Sequence, residues 1–223
     1  MISLILFIVE LIALFFIARF LTNEIYYFLR RFTNNNHLSF AIITIIYLPG
    51  TIIHELSHYF AALFLFLKVK DITVWPQFQG NHIKLGSVQY IKADFFRGFL
   101  VGVAPLIIGI IIFYLVFYFK LFPSTNFLLN ILLSYLLFII SLTMFSSKQD
   151  MIDAVYILPL LFIIGLIIYI FQIDPRILFT NSKLNAILLD FIHNLQIYFL
   201  FVLGTSTVIF GLLKIINKYL KKR

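Results

Sequence analysis

The chain has 223 residues, of which 62% are hydrophobic, 18% aromatic and only 12% charged. Soluble domains carry about 25% charged residues, so the composition excludes an ordinary soluble globule, and it is far too apolar for disorder. A formal charge of +8 could suit nucleic acid in a soluble protein. Here the bases border apolar runs, where they orient the chain and attract anionic lipid, so the bilayer and not nucleic acid is the expected partner.

A membrane span takes about 20 apolar residues, and the chain offers about six such runs. Residues 2–21 lack the basic start and small-residue cleavage site of a signal peptide and read as a retained helix, interrupted by Glu10. A polar stretch follows, with Asn23, Glu24, Arg30, Arg31 and the Asn34-Asn35-Asn36 triplet. The second run, 38–67, is longer than a straight span requires. Pro49-Gly50 divides it, which predicts a kink or a short re-entrant piece before the helix proper.

Residues 68–97 form a polar, β-rich loop. Asp71–Trp75 and Lys84–Ile91 carry strand-favouring residues, and Pro76, Gly80 and Asn81 lie between them, predicting a β-hairpin at the membrane surface. Further helices are expected at 98–119, 127–145, 154–173 and 197–217. Before the last, residues 184–196 place Asp190, His193 and Asn194 on one helical face and read as an interfacial amphipathic helix. The expected fold is an all-α polytopic membrane protein: one transmembrane domain over 1–223, with about six helices and a membrane-associated β-hairpin between helices 2 and 3.

With six spans and both ends inside, the inner side holds eleven of the 17 Lys and Arg residues. The outer side holds Arg19, Arg30, Arg31, Lys120, Arg176 and Lys183. That bias predicts a cell-membrane protein with both termini in the cytosol.

One motif carries chemistry. His54-Glu55-Leu56-Ser57-His58 lies inside the second run. Helical positions i and i+4 share a face one turn apart, so both imidazoles can ligate one zinc ion. Glu55 falls beside them, able to touch a water on the metal without being a ligand. Zinc lowers that water's pKa toward about 7, and the glutamate accepts its proton as general base. Three ionisable side chains within five positions of an apolar helix are costly in lipid unless something satisfies them together, and a metal does.

Such catalytic zinc sites use three protein ligands and leave one position open. The favoured third ligand is Asp150, in Ser146-Ser147-Lys148-Gln149-Asp150 between runs four and five; Asp153, His82, His193 and Asp190 are the alternatives. Asp150 also suits a helix N-terminus capped by Ser147, and the two roles can coexist. Because it lies just past run four while His54 sits well inside its span, the fourth helix must continue inward, or the membrane must thin, for them to meet. Gly98, Gly102 and Gly109 are expected to let the third helix approach the zinc helix. Asn130, Ser134 and Ser141 are expected to bond across helices.

Leu48-Pro49-Gly50-Thr51-Ile52-Ile53-His54-Glu55-Leu56-Ser57-His58 resembles the zinc-binding helix of the site-2 protease family of intramembrane metalloproteases. The β-rich segment and the next helix with Ala104-Pro105 resemble that family's order of elements, so the likeness spans roughly residues 40–155. It implies a zinc metalloendopeptidase cleaving membrane-embedded protein or peptide substrates. Many members carry an Asp-Gly pair at the third ligand, whereas Met151 follows Asp150 here, as in a divergent branch. A helical substrate must unwind before cleavage, and a free strand edge between Ile72 and Ile91 could receive it. The rival reading is a transporter or channel whose His/Glu cluster passes protons or metal ions. It accounts for buried ionisable groups but not for their spacing. A catalytically dead scaffold would have no need of Glu55.

Overall fold

The structure, a computed structural model, describes residues 2–73, 77–79, 82–84, 86–91, 94–145, 166, 170 and 182–221. Among the described residues five long helices carry the fold: α1 (Ile2–Thr33), α2 (Asn36–Phe64), α3 (Phe95–Tyr118), α4 (Phe127–Thr143) and α5 (Ser182–Lys221). Among the described residues four helices, α1, α2, α3 and α5, are long and apolar enough to cross a membrane, and α4 is apolar but shorter. The expected span at 154–173 lies outside the described residues apart from Leu166 and Ile170.

The asparagine triplet is a helix stop and start. Asn34 adopts a left-handed φ of 49°, and its N–H donates to the Arg30 carbonyl at 2.9 Å, closing α1. Asn35 then caps α2, its Oδ1 accepting from the N–H groups of His37 and Leu38. Helix α1 therefore runs twelve residues beyond the expected end at Leu21, because nothing in Thr22–Thr33 breaks a helix. Helix α2 ends in a Schellman turn: Phe66, at φ 56°, donates to Leu63 O, and Leu67 donates to Ala62 O at 2.9 Å.

Helix α2 packs against α1, α3 and α4, while α5 lies along α1 and touches α3 and α4. The main core joins Leu14, Phe113, Val116, Leu137, Ile140, Leu195, Phe199 and Val202, with the Phe113 and Phe199 rings stacked at 4.7 Å. Residues 184–196 and 197–217, expected as an interfacial helix and a separate span, form one continuous helix, α5. Neither Pro nor Gly occurs between Ser182 and Gly204, and Leu195 and Phe199 bury one face across the expected break.

The loop between α2 and α3 holds two antiparallel pairs. Strand β1 (Val69–Thr73) pairs with β4 (Ser87–Tyr90), and β2 (Gln77–Gln79) pairs with β3 (His82–Lys84). The expected hairpin is present, with its outer strand beginning two residues earlier than Asp71. Val69 and Tyr90 pack beside Ala62, Leu67 and Val101, which fastens the outer pair to the end of α2 and the start of α3.

Candidate metal centre

Pro49 sits inside α2 without ending it. Its missing N–H and its ring disturb the preceding turn, where the Tyr135 hydroxyl of α4 donates to the Ile46 carbonyl at 2.7 Å. One turn on, Gly50 is pressed against α4. A Cβ there would lie 2.7 Å from Ile139 Cγ2 and 3.0 Å from the Ile139 carbonyl, and it would also strike Thr143 Oγ1. Contacts thus rise together along both helices, Ile46 with Tyr135 and Gly50 with Ile139, so α2 and α4 run parallel. Pro49-Gly50, expected as a kink or re-entrant piece, marks a close helix crossing within a continuous helix.

Through that crossing, the buried positions Tyr47, Thr51, Glu55, His58 and Ala62 form one stripe at helical spacing. The imidazole Nε2 atoms of His54 and His58 converge to 3.1 Å, with the rings nearly perpendicular at 86°. Two nitrogens on a tetrahedral zinc, each at about 2.0–2.1 Å, stand about 3.3 Å apart, so the donor pair fits that ion.

The other nitrogen of His58, Nδ1, lies 2.8 Å from the Val101 carbonyl of α3. A carbonyl only accepts, so Nδ1 carries the hydrogen and the Nε2 lone pair points toward His54. Arg97 sets this register: its guanidinium pairs with Asp94, the α3 N-cap, at 3.1 Å and donates to Leu65 O at the end of α2 at 3.2 Å. The antiparallel helices are thereby pinned with Val101 level with His58.

Glu55 is buried, with 6% of its surface exposed. Its carboxylate meets the entry of β4: a Cβ on Gly86 would stand 2.7 Å from Glu55 Oε1 and 2.6 Å from Cγ. The β-loop backbone therefore lies directly on the expected general base. Val101 and Gly86 were not among the expected site residues, although each leaves a trace in the sequence. Pro105 marks the first, four residues on, and a lone glycine in a strand marks the second, as a place of close backbone approach.

The structure brings His54, Glu55 and His58 together. Asp150 and Asp153 lie outside the described residues. His82 falls in β3, Asp190 and His193 are exposed on α5, and among the described residues no group of three His, Cys, Asp or Glu side chains is placed to hold a metal. Two other expectations need correcting. Gly109 faces Met144 at the end of α4, 2.9 Å from a would-be Cβ to the Met144 Cβ, and not the zinc helix. Asn130 bonds both ways with the Ser124 backbone, and Ser141 bonds to Phe138 O in its own helix, so among the described residues neither bonds across helices as expected. Polar groups in an apolar surround are satisfied by the nearest backbone when a loop or their own preceding turn offers it.

The chain was compared with protein-family models, curated proteins and solved structures, and it matches none of them.

Proposed function

We propose that this membrane protein is an intramembrane zinc metalloendopeptidase. The observation that carries the reading is the convergence of His54 and His58 Nε2 to 3.1 Å beside the buried Glu55 carboxylate. His54 and His58 would hold the ion, with Asp150 as third ligand. A zinc ion bound there supplies a Lewis acid that makes water acidic enough to lose a proton near neutral pH. Glu55 takes that proton as the water attacks the scissile carbonyl, and it can return the proton to the departing amine.

The case for Asp150 rests on direction and reach. Helix α4 runs parallel to α2, and its last residue, Thr143, abuts Gly50. Gly50 is one turn, about 6 Å, short of His54. Asp150 follows Thr143 by seven positions, and even a half-extended segment of that length covers more than 6 Å. A segment of that length is long enough to bring Asp150 to the level of His54.

The β-loop gives the reading its substrate side. Among the described residues β4 pairs with β1 alone, and it leads from Gly86, which lies on Glu55. An unwound substrate segment added to that edge would be drawn toward the general base. The architecture that goes with this reading has six spans and both termini in the cytosol.

The test joins metal analysis to proteolysis. Glu55→Gln preserves the side chain's shape but cannot accept the proton. Zinc should stay bound while cleavage of a single-span substrate in proteoliposomes falls by at least about 10²-fold. Undiminished cleavage by that variant would remove the mechanism. Zinc flux into the same liposomes would favour the transporter instead.

A further inference from the structure

We infer that Pro105 is a positioning residue for the metal site, acting on His58 through the carbonyl of Val101; this rests on the zinc reading above. In a regular helix the Val101 carbonyl would accept from the N–H of residue 105. Proline has none, and its ring crowds the carbonyl four residues back and turns it away from the helix axis. Helix α3 continues through Pro105, so the vacancy is confined to one acceptor. That acceptor is the one His58 uses: Nδ1 to Val101 O is 2.8 Å. Val101 is fully buried and His58 is 6% exposed, so bulk water does not compete for either group.

The consequence is chemical. Neutral imidazole has two tautomers, and only the form with hydrogen on Nδ1 presents a lone pair on Nε2. A dedicated acceptor opposite Nδ1 selects that form, fixes the ring's rotation and makes Nε2 a better donor to a metal. In an ordinary helix the carbonyl already accepts from the N–H four residues on, so a side chain must share it through the second lone pair, whereas the Val101 carbonyl is left to His58. Pro105 also explains why a residue unfavourable to helices stands in the middle of one.

Pro105→Ala restores the N–H, which competes for the Val101 carbonyl and straightens the turn. The replacement suits a helix better, so a purely structural role predicts equal or higher thermal stability and an unchanged metal site. We expect otherwise: melting at or above the wild-type temperature, but zinc bound about tenfold more weakly in competition with a chelator. In protein carrying 15N-labelled histidine, the metal-free His58 ring should be almost wholly the Nδ1–H tautomer, and Pro105→Ala should shift part of it to Nε2–H.

Equal zinc affinity together with an unchanged His58 tautomer in Pro105→Ala would overturn the inference and leave the protease reading standing. Failure of the wild type to bind zinc would remove the protease reading, and the tautomer comparison would still decide the role of Pro105. If Pro105→Ala does not fold, a predominantly Nε2–H ring in the wild-type protein alone is enough to reject the proposal.

Discussion

The carbonyl oxygen of Ile139 lies 3.0 Å from the point where a side chain on Gly50 would begin. Backbone meets backbone there, so neither helix can give way as a flexible side chain would. The contact sets the depth at which α4 ends, one turn before His54. Gly50→Ala should therefore cost about 1–3 kcal/mol of stability through overpacking. It should also weaken zinc binding by pushing the end of α4 away. Unfolding in detergent, followed by circular dichroism, reads the first effect. A variant as stable as wild type would show that the two helices part freely.

Gly86→Ala makes the opposite kind of contact. The atoms that a new methyl group would meet belong to the Glu55 side chain, 2.6–2.9 Å away. A glutamate can swing aside at little cost to the fold, so stability and zinc content should stay near wild type. Turnover should fall by about tenfold or more, because a general base displaced by an ångström loses its alignment. Full activity in Gly86→Ala would mean that the β-loop lifts away from Glu55 before the chemistry.

Legibility in the sequence followed the range of each interaction. The apolar runs and the His54-Glu55-His58 spacing are local patterns, and a helix places i and i+4 together whatever surrounds it. Helix ends were less legible. The apolar run ends at Leu21 where polarity begins, yet α1 continues, and Glu24 and Arg31 are held in it by Asn217 of α5, a partner far along the chain. The same limit hid the roles of Pro105 and Gly86. Each could be read as an irregularity in its own element, but their targets, His58 and Glu55, lie on another helix. Asn130 failed for the converse reason: its partner, Ser124, is six residues away in a loop whose shape no periodicity encodes.

Metal content tests the two histidines together. Purified protein should carry about one zinc, removable by chelators and lost when His54 or His58 becomes alanine. Each loss should be nearly complete, because the remaining nitrogen cannot hold the ion without its neighbour. Stoichiometric zinc in the double alanine variant, measured by mass spectrometry after exhaustive dialysis, would rule out this site.

Asp150 carries the most exposed expectation. Helix α4 approaches the site parallel to α2 and ends with Thr143 against Gly50, one turn before His54. If Asp150 completes the site, one of its oxygens should lie about 2.0–2.2 Å from the zinc. A ligand carboxylate must be ionised to bind, so Asp150 must share the water-accessible side of the site with Glu55. Asp150→Ala should then weaken zinc binding by orders of magnitude and abolish proteolysis, whereas Asp153→Ala should leave both near wild type. Asp150→Asn is the sharper variant. It keeps the size but removes the charge: a helix-terminus acid would lose only its dipole interaction, about 0.3–1 kcal/mol, whereas a ligand would lose the carboxylate that binds the ion. Equal zinc affinity in Asp150→Asn and wild type, with affinity lost in Asp153→Ala, would transfer the third position to Asp153 and leave His54, Glu55 and His58 in their roles.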